Sequence, residues 1–213
     1  MRLVSVNTGK AEREAKDDWA SPLTGLYKKP QAQSVFIADT GLQGDVICDK
    51  RHHGGFDQAV YVYGDLDYAW WSKQINRSLY PGCFGENLTI SDYSCINTQI
   101  GDHFIIGSVV LEVTAPRIPC DKFARHMEIE GFKNLFRRAE RPGAYCRVLS
   151  PGDVKCGDEV ILQTKSSNGL SLLELFRDFF TPNHDKNTIQ HILEAPVAER
   201  VRKEKLSLLK TMN

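Results

Sequence analysis

Val109-Val110-Leu111-Glu112-Val113-Thr114-Ala115-Pro116-Arg117-Ile118-Pro119-Cys120-Asp121-Lys122-Phe123 decides the reading of this chain. Alternation from Val109 to Thr114 predicts a strand, because successive strand side chains point to opposite faces. Pro116 and Pro119 then stop the strand and stiffen its exit. Cys120 is therefore expected on a rigid turn, with Arg117 before it and Lys122 after it. Nearby cations favour thiolate, the form that attacks electrophiles and binds soft metals. The same residues fit a buried packing cysteine equally well.

The flanking sequence has the same character. Ser34–Ile37, Ala59–Tyr63, Tyr145–Leu149 and Glu159–Leu162 predict further short strands, and Met1–Lys10 a first strand ending in a turn. Gly101-Asp102, Gly152-Asp153 and Gly157-Asp158 precede apolar segments and predict tight corners. Short strands with repeated corners point to a mainly β barrel or sandwich. Asp65–Ile75 and Glu130–Ala139 carry helical apolar spacing. Near residue 165 the composition changes. After the linker-like Lys165–Gly169, Ser171 and Glu174 have capping-box spacing. One helix is expected to about Phe180, a second over Thr188–Leu193, and a third after Pro196 towards Leu209. The expected division is a β domain over 1–165 and a small three-helix domain over 166–213.

The 213 residues are 41% hydrophobic and 25% charged, an ordinary globular composition. Twenty-seven basic and 27 acidic residues balance, which argues against bulk attachment to nucleic acid or membrane. No apolar run approaches the roughly 20 residues of a membrane helix, and the first ten residues are too polar for a signal peptide. Cysteines stand at 48, 83, 95, 120, 146 and 156 without a Cys-x-x-Cys pair. Without an export signal they are expected to be reduced thiols in a cytoplasmic protein, and all but Cys48 and Cys120 to be packing residues.

A second segment, Gly41 to Val60, carries Lys50, Arg51, His52 and His53 in a row, then Gly54-Gly55 and Asp57. Cationic donors beside a glycine pair suit an oxyanion or phosphate. Asp57 is placed to orient a histidine or cap the next element. Zinc through Cys48, His52 and His53 lacks a fourth ligand. Gly85 and Asn87, in Phe84-Gly85-Glu86-Asn87-Leu88, could add donors to a ligand. No Gly-x-Ser-x-Gly elbow, P-loop or dinucleotide fingerprint is present. A Cys-His hydrolase pairing Cys120 with His53 or His126 stays chemically open.

Four ordered motifs together carry a resemblance: Gly41-Leu42-Gln43-Gly44-Asp45, His53-Gly54-Gly55-x-Asp57-x-Ala59-Val60, Phe84-Gly85-Glu86-Asn87-Leu88 and Pro116-Arg117-x-Pro119-Cys120-x-Lys122. The chain resembles the MOSC domain family over nearly its whole length, including the tail. The resemblance implies a MOSC-type β-barrel with a few helices, followed by the small C-terminal helical domain. It also implies a bound molybdenum cofactor, a molybdopterin dithiolene with a phosphate tail. Cys120 would be the molybdenum ligand and catalytic residue. Lys50, Arg51, His53, Gly54, Gly55, Asp57, Gly85, Asn87, Arg117 and Lys122 would bind cofactor or substrate. The activity implied is reduction of N-hydroxylated compounds such as 6-hydroxylaminopurine. The electrons would come from a separate reductase, since the sequence has no flavin, haem or iron-sulfur motif. A carrier of the cofactor, or of sulfur as a Cys120 persulfide, is the alternative. The tail's apolar faces are expected to be buried by packing, with donor docking, closure of the site or a homodimer left open.

Overall fold

The protein was analysed as a computed structural model that describes residues 1–14, 20–50, 53–165 and 169–212. Along the chain, β1 is Leu3–Thr8, β2 Glu12–Arg13, β3 Leu23–Thr24, β4 Lys29–Pro30, β5 Val35–Ala38 and β6 Gly41–Leu42. Then come β7 Val60–Gly64, α1 Asp65–Gln74, β8 Leu88–Ile90, β9 His103–Ile106, β10 Val109–Pro116, α2 Asp121–Met127 and α3 Phe132–Ala139. The chain continues through β11 Ala144–Ser150, β12 Gly152–Val154 and β13 Ile161–Gln163. It ends in α4 Leu172–Phe180, α5 Lys186–Glu194 and α6 Glu199–Thr211.

Eight strands form the main sheet in the order β13-β9-β10-β11-β7-β8-β1-β4, and β12-β5-β6 form a smaller one. Every pairing is antiparallel except β7 with β8. The closed barrel expected from the sequence is not seen as a continuous ladder. The sheet curls until Met1–Leu3 meets residues 157–160, through Leu3 N–Asp158 O at 2.9 Å and Val160 N–Met1 O at 3.0 Å. Only Arg2 and Glu159 form a bridge there. The Gly157-Asp158 corner and the three-residue β13 leave too little extended chain for a full pairing.

β7 shows how the sequence builds the interior. Val60 and Val62 enter the sheet's aliphatic core, while Tyr61 and Tyr63 enter a second, aromatic core. Both faces of this strand are covered, so it reads as a continuous apolar run. The aromatic core gathers Trp71 of α1, Phe84, Phe123 of α2, Phe132 and Phe136 of α3, and Phe176 of α4. Its polar tips find partners: Trp71 Nε1 donates to Tyr63 Oη at 2.8 Å, and Tyr61 Oη donates to Pro142 O at 2.7 Å. Leu172, Leu175 and Ile192 of the tail share the aliphatic core with the sheet.

Several details depart from the sequence reading. Gly152-Asp153 lies inside β12 rather than at a corner, since it pairs with Ile37 and Phe36. β10 runs to Pro116, which pairs with Ala144 and so ends the ladder instead of preventing it. The chain after Cys120 is a helix, α2, not an exit loop. Helix α3 starts at Phe132 because Gly131 takes a left-handed φ of 67°. The capping box at Ser171 and Glu174 is present as read. Cys156 is exposed, with its sulfur 3.1 Å from Val4 O, so it is not a core thiol. Arg51, His52 and part of the 165–169 linker lie outside the described residues. No helix among the described residues is long and apolar enough to cross a membrane.

Candidate functional site

The register of β10 against β11 shifts between Val113 and Ala115, an irregularity that bends the strand just before the Pro116–Cys120 turn. Thr114 is held there by Tyr145 O, which accepts its hydroxyl at 3.1 Å. The bend delivers Arg117 and Cys120 to one groove, and Cys120 serves as the residue preceding α2. The groove encloses about 650 Å³ including its open mouth.

Arg117 is its most unusual wall. The side chain is buried at 5% exposure, and its guanidinium lies 4.2 Å from the Phe123 ring centre and 4.9 Å from that of Tyr61. One nitrogen, Nη1, donates to Phe84 O at 2.9 Å, while Nε has no hydrogen-bond partner. No carboxylate among the described residues forms an ion pair with it. Burial opposes its charge, but Tyr145, Tyr61, Cys120 and Glu86 outweigh that and hold the guanidinium protonated above its usual range. A buried cation without a counter-ion is costly unless a ligand completes it.

The remaining cations are anchored. Lys28 forms a buried ion pair with Asp45, and burial lowers its pKa against the pull of that carboxylate. Asp45 also accepts from Gly9 N at 2.7 Å and Asn87 Nδ2 at 2.9 Å. Lys122 Nζ donates to Leu23 O at 2.9 Å and lies 3.5 Å from Glu14. Two groove glycines need their type. At Gly54, with φ of 76°, a Cβ would sit 2.7 Å from Ile47 Cδ1; at Gly85, with φ of 73°, it would sit 2.4 Å from Leu26 Cδ1.

Of the residues chosen from sequence, the groove collects His53, Gly54, Gly85, Asn87, Arg117, Cys120 and Lys122. Three described ones fall outside its lining. Lys50 is exposed, and Gly55 faces open space. Asp57 instead accepts the Glu199 amide at 2.7 Å at the start of α6 and pairs with Arg147 at 3.0 Å. Asn87 is as much a brace as a ligand group, since its Oδ1 accepts from Tyr61 N at 3.1 Å. Sequence reasoning missed Lys28, Asp45, Gln58, Tyr61 and Tyr145. Asp45 was within reach, standing at the end of the quoted Gly41–Asp45 motif; the others carry no local signal.

The two histidines offered as hydrolase partners separate. His126 Nε2 lies 2.9 Å from Cys83 O, and burial lowers its pKa, so it is used in packing under α2. His53 lines the groove with Cys120. Among the described residues no group of three or more His, Cys, Asp or Glu could hold a metal ion; the zinc reading through Cys48, His52 and His53 includes His52, which lies outside them.

Cys120 is half-buried and borders a second cavity of about 1220 Å³, again counting its mouth. That cleft lies between the Pro116–Cys120 turn and helices α4 and α6. His53, Asp49 and Tyr145 also border both spaces.

Comparison with known proteins agrees with this architecture. A family model for the MOSC domain matches residues 49–161. The uncharacterized protein YflK of Bacillus subtilis is 31% identical over 201 residues, spanning 94% of this chain and 90% of YflK. A protein of Gibberella moniliformis named "Reductase" is 29% identical over 201 residues; the match spans 92% of this chain but 35% of that longer protein. The crystal structure of YiiM from Geobacillus stearothermophilus superposes with a TM-score of 0.78 over 98% of each chain, at 22% identity, and so shares the fold.

Proposed function

The chain belongs to the MOSC domain family, and from that premise we propose that it is a molybdenum cofactor-dependent reductase of N-hydroxylated compounds such as 6-hydroxylaminopurine. One observation carries the reading. Arg117, a buried cation with an unpartnered Nε and no carboxylate pair among the described residues, lines the same groove as the half-buried Cys120 thiol. An anionic group with a soft metal at one end fits that donor set: a thiolate for the metal, guanidinium and ammonium groups for the phosphate.

Cys120 Sγ would ligate molybdenum. Arg117, Lys122 and Lys28 would hold the anionic pterin, with Asn87 and Asp45 fixing Lys28 in place. Gly54 and Gly85 take left-handed backbone turns of the groove wall where a Cβ would collide with Ile47 or Leu26. When bound, the cofactor supplies the two-electron chemistry that cleavage of an N–O bond requires. In the net reaction the N–O bond breaks, oxygen leaves as water, and two electrons and two protons are consumed. The electrons come from a separate donor protein. The His53 imidazole and the Tyr145 hydroxyl border both cavities beside Cys120 and can hand protons to the departing oxygen.

The test is purification from a strain that makes the cofactor, followed by molybdenum quantification, mass spectrometry of bound pterin and an assay with an artificial reductant. Wild type is expected to carry molybdenum and reduce N-hydroxylated substrates, and Cys120→Ala to lose turnover. Undiminished turnover in Cys120→Ala would sink the assignment. Bound molybdenum without reduction would mark a carrier.

A further inference from the structure

The cleft on the far side of Cys120 differs in chemistry from the cofactor groove. Pro116, Ile118, Leu175 and Val201 give it apolar walls, and Phe179, at 55% exposure, stands at its rim. Its formal charges balance differently. Asp49, Asp178 and Glu204 line it with Arg200 and Lys205, so carboxylates outnumber those two cations. The lining offers no net positive charge to draw in a polyanion, and its apolar walls suit an uncharged molecule with a flat body.

Lys205 is the informative residue. It lies on α6 yet is only 1% exposed, and it forms an ion pair with Asp178 across to α4. A lysine so buried costs several kcal/mol of desolvation that a methionine of similar volume would avoid. Its ammonium carries three N–H donors. Asp178 is its close carboxylate, whereas the Glu204 oxygen stands at 3.9 Å, beyond hydrogen-bond reach. Its Nζ is buried and makes no hydrogen bond, so donor capacity is left over in the wall of a cleft that shares Cys120 with the cofactor groove.

We propose that this cleft is the substrate chamber and that Lys205, held by Asp178, is a specificity-determining residue that donates to the ring-nitrogen edge of an uncharged N-hydroxylated heteroaromatic substrate. The assignment rests on the reductase reading for its substrate class. The apolar walls stack against the ring, Lys205 fixes the far edge, and the N–OH end points back to Cys120. A site built to hydrogen-bond a ligand edge rejects the analogue that lacks it, because the buried donor is then left unpaired.

The experiment uses the full, cofactor-loaded chain with an artificial reductant and two substrates. One is 6-hydroxylaminopurine. The other is N-hydroxybenzamidine, which has an N–OH group but no ring nitrogen. The variant is Lys205→Met with Asp178→Leu, which removes both charges together and leaves neither stranded. The expected result is a KM for the purine raised at least tenfold, a KM for the benzamidine changed less than threefold, and an unaltered kcat, melting temperature and molybdenum content. A folded, loaded double variant with both KM values unchanged, or with both raised alike, overturns the assignment and leaves the pair as a tie between helices.

A second measurement needs neither cofactor nor a folded variant. In cofactor-free wild type, 6-hydroxylaminopurine at saturating concentration should slow iodoacetamide alkylation of Cys120, followed by peptide mass spectrometry, at least threefold. N-hydroxybenzamidine at equal concentration should protect less. Absence of protection by the purine overturns the chamber even if the reductase stands. Wild type that binds no molybdenum and reduces neither compound fails the reductase reading instead, and the protection assay still decides whether the cleft takes a heteroaromatic ring.

Discussion

The Asp57 carboxylate accepts the backbone amide of Glu199 at 2.7 Å, fastening the loop after His53-Gly54-Gly55 to the first turn of α6. The same carboxylate pairs with Arg147, whose Nη2 also donates to Pro196 O at 3.0 Å. The motif residue that sequence placed in the cofactor site is therefore a helix cap supplied from far along the chain. Asp57→Ala should lower the unfolding free energy by about 1–2 kcal/mol, the range for losing such a cap. Urea denaturation measures it. A double-mutant cycle with Arg147→Met should show coupling, because the two share one junction.

Glu86 is a buried carboxyl whose Oε1 accepts from Tyr68 Oη at 2.7 Å, Gly82 N at 2.6 Å and Thr89 Oγ1 at 2.7 Å. Burial raises its pKa above 4.5 despite those donors, and Oε2 has no partner. The folded state thus binds this proton more tightly than the unfolded chain. Its contribution is full below the unfolded value and is lost as pH rises through the folded one. The difference in unfolding free energy between Glu86→Gln and wild type should shift in favour of Gln as pH climbs above about 4.5. A difference that is flat or runs the other way would place the proton elsewhere.

Removing the buried guanidinium should cost the cofactor more than the fold. Arg117→Lys keeps a charge but loses the planar stacking on Phe123 and Tyr61, so it is not conservative here. Molybdenum per chain, measured after gel filtration, is expected to fall at least tenfold. The melting temperature should fall by only a few degrees.

The thiols sort by environment. Burial pushes the Cys83 thiol up to about 12 and also raises Cys95 and Cys146. Iodoacetamide at pH 8 on native protein should modify the exposed Cys156 and the half-buried Cys120 and Cys48, and spare the other three. Peptide mass spectrometry reads the outcome. Rapid labelling of Cys83 would mean that the aromatic core around it opens.

What the sequence disclosed follows from how far each signal travels. Alternation in Val109–Thr114, the β-branched and aromatic run Ala59–Tyr63, and the Ser171–Glu174 capping box are local physics, and the structure keeps them. The open edge at β13 depends on how far a curled sheet reaches, which no short window encodes. Helix α2 was hidden because Pro119 and Cys120 read as a loop exit, although Asp121–Met127 carries buried Phe123 and Met127 at helical spacing. In the groove, Arg117 and Cys120 were legible because one short turn holds both. Lys28, just before β4, and Tyr145 of β11 arrive from segments distant in sequence, and the cap that Asp57 makes could not be placed because its partner lies 142 residues away.

Cys120 stands where two adjoining cavities meet. On the proposed function, a large prosthetic group would remain seated on one side while small molecules come and go on the other. Turnover would then demand no unloading. The bend in β10 that puts the sulfur at this meeting point is a piece of plumbing as much as of chemistry.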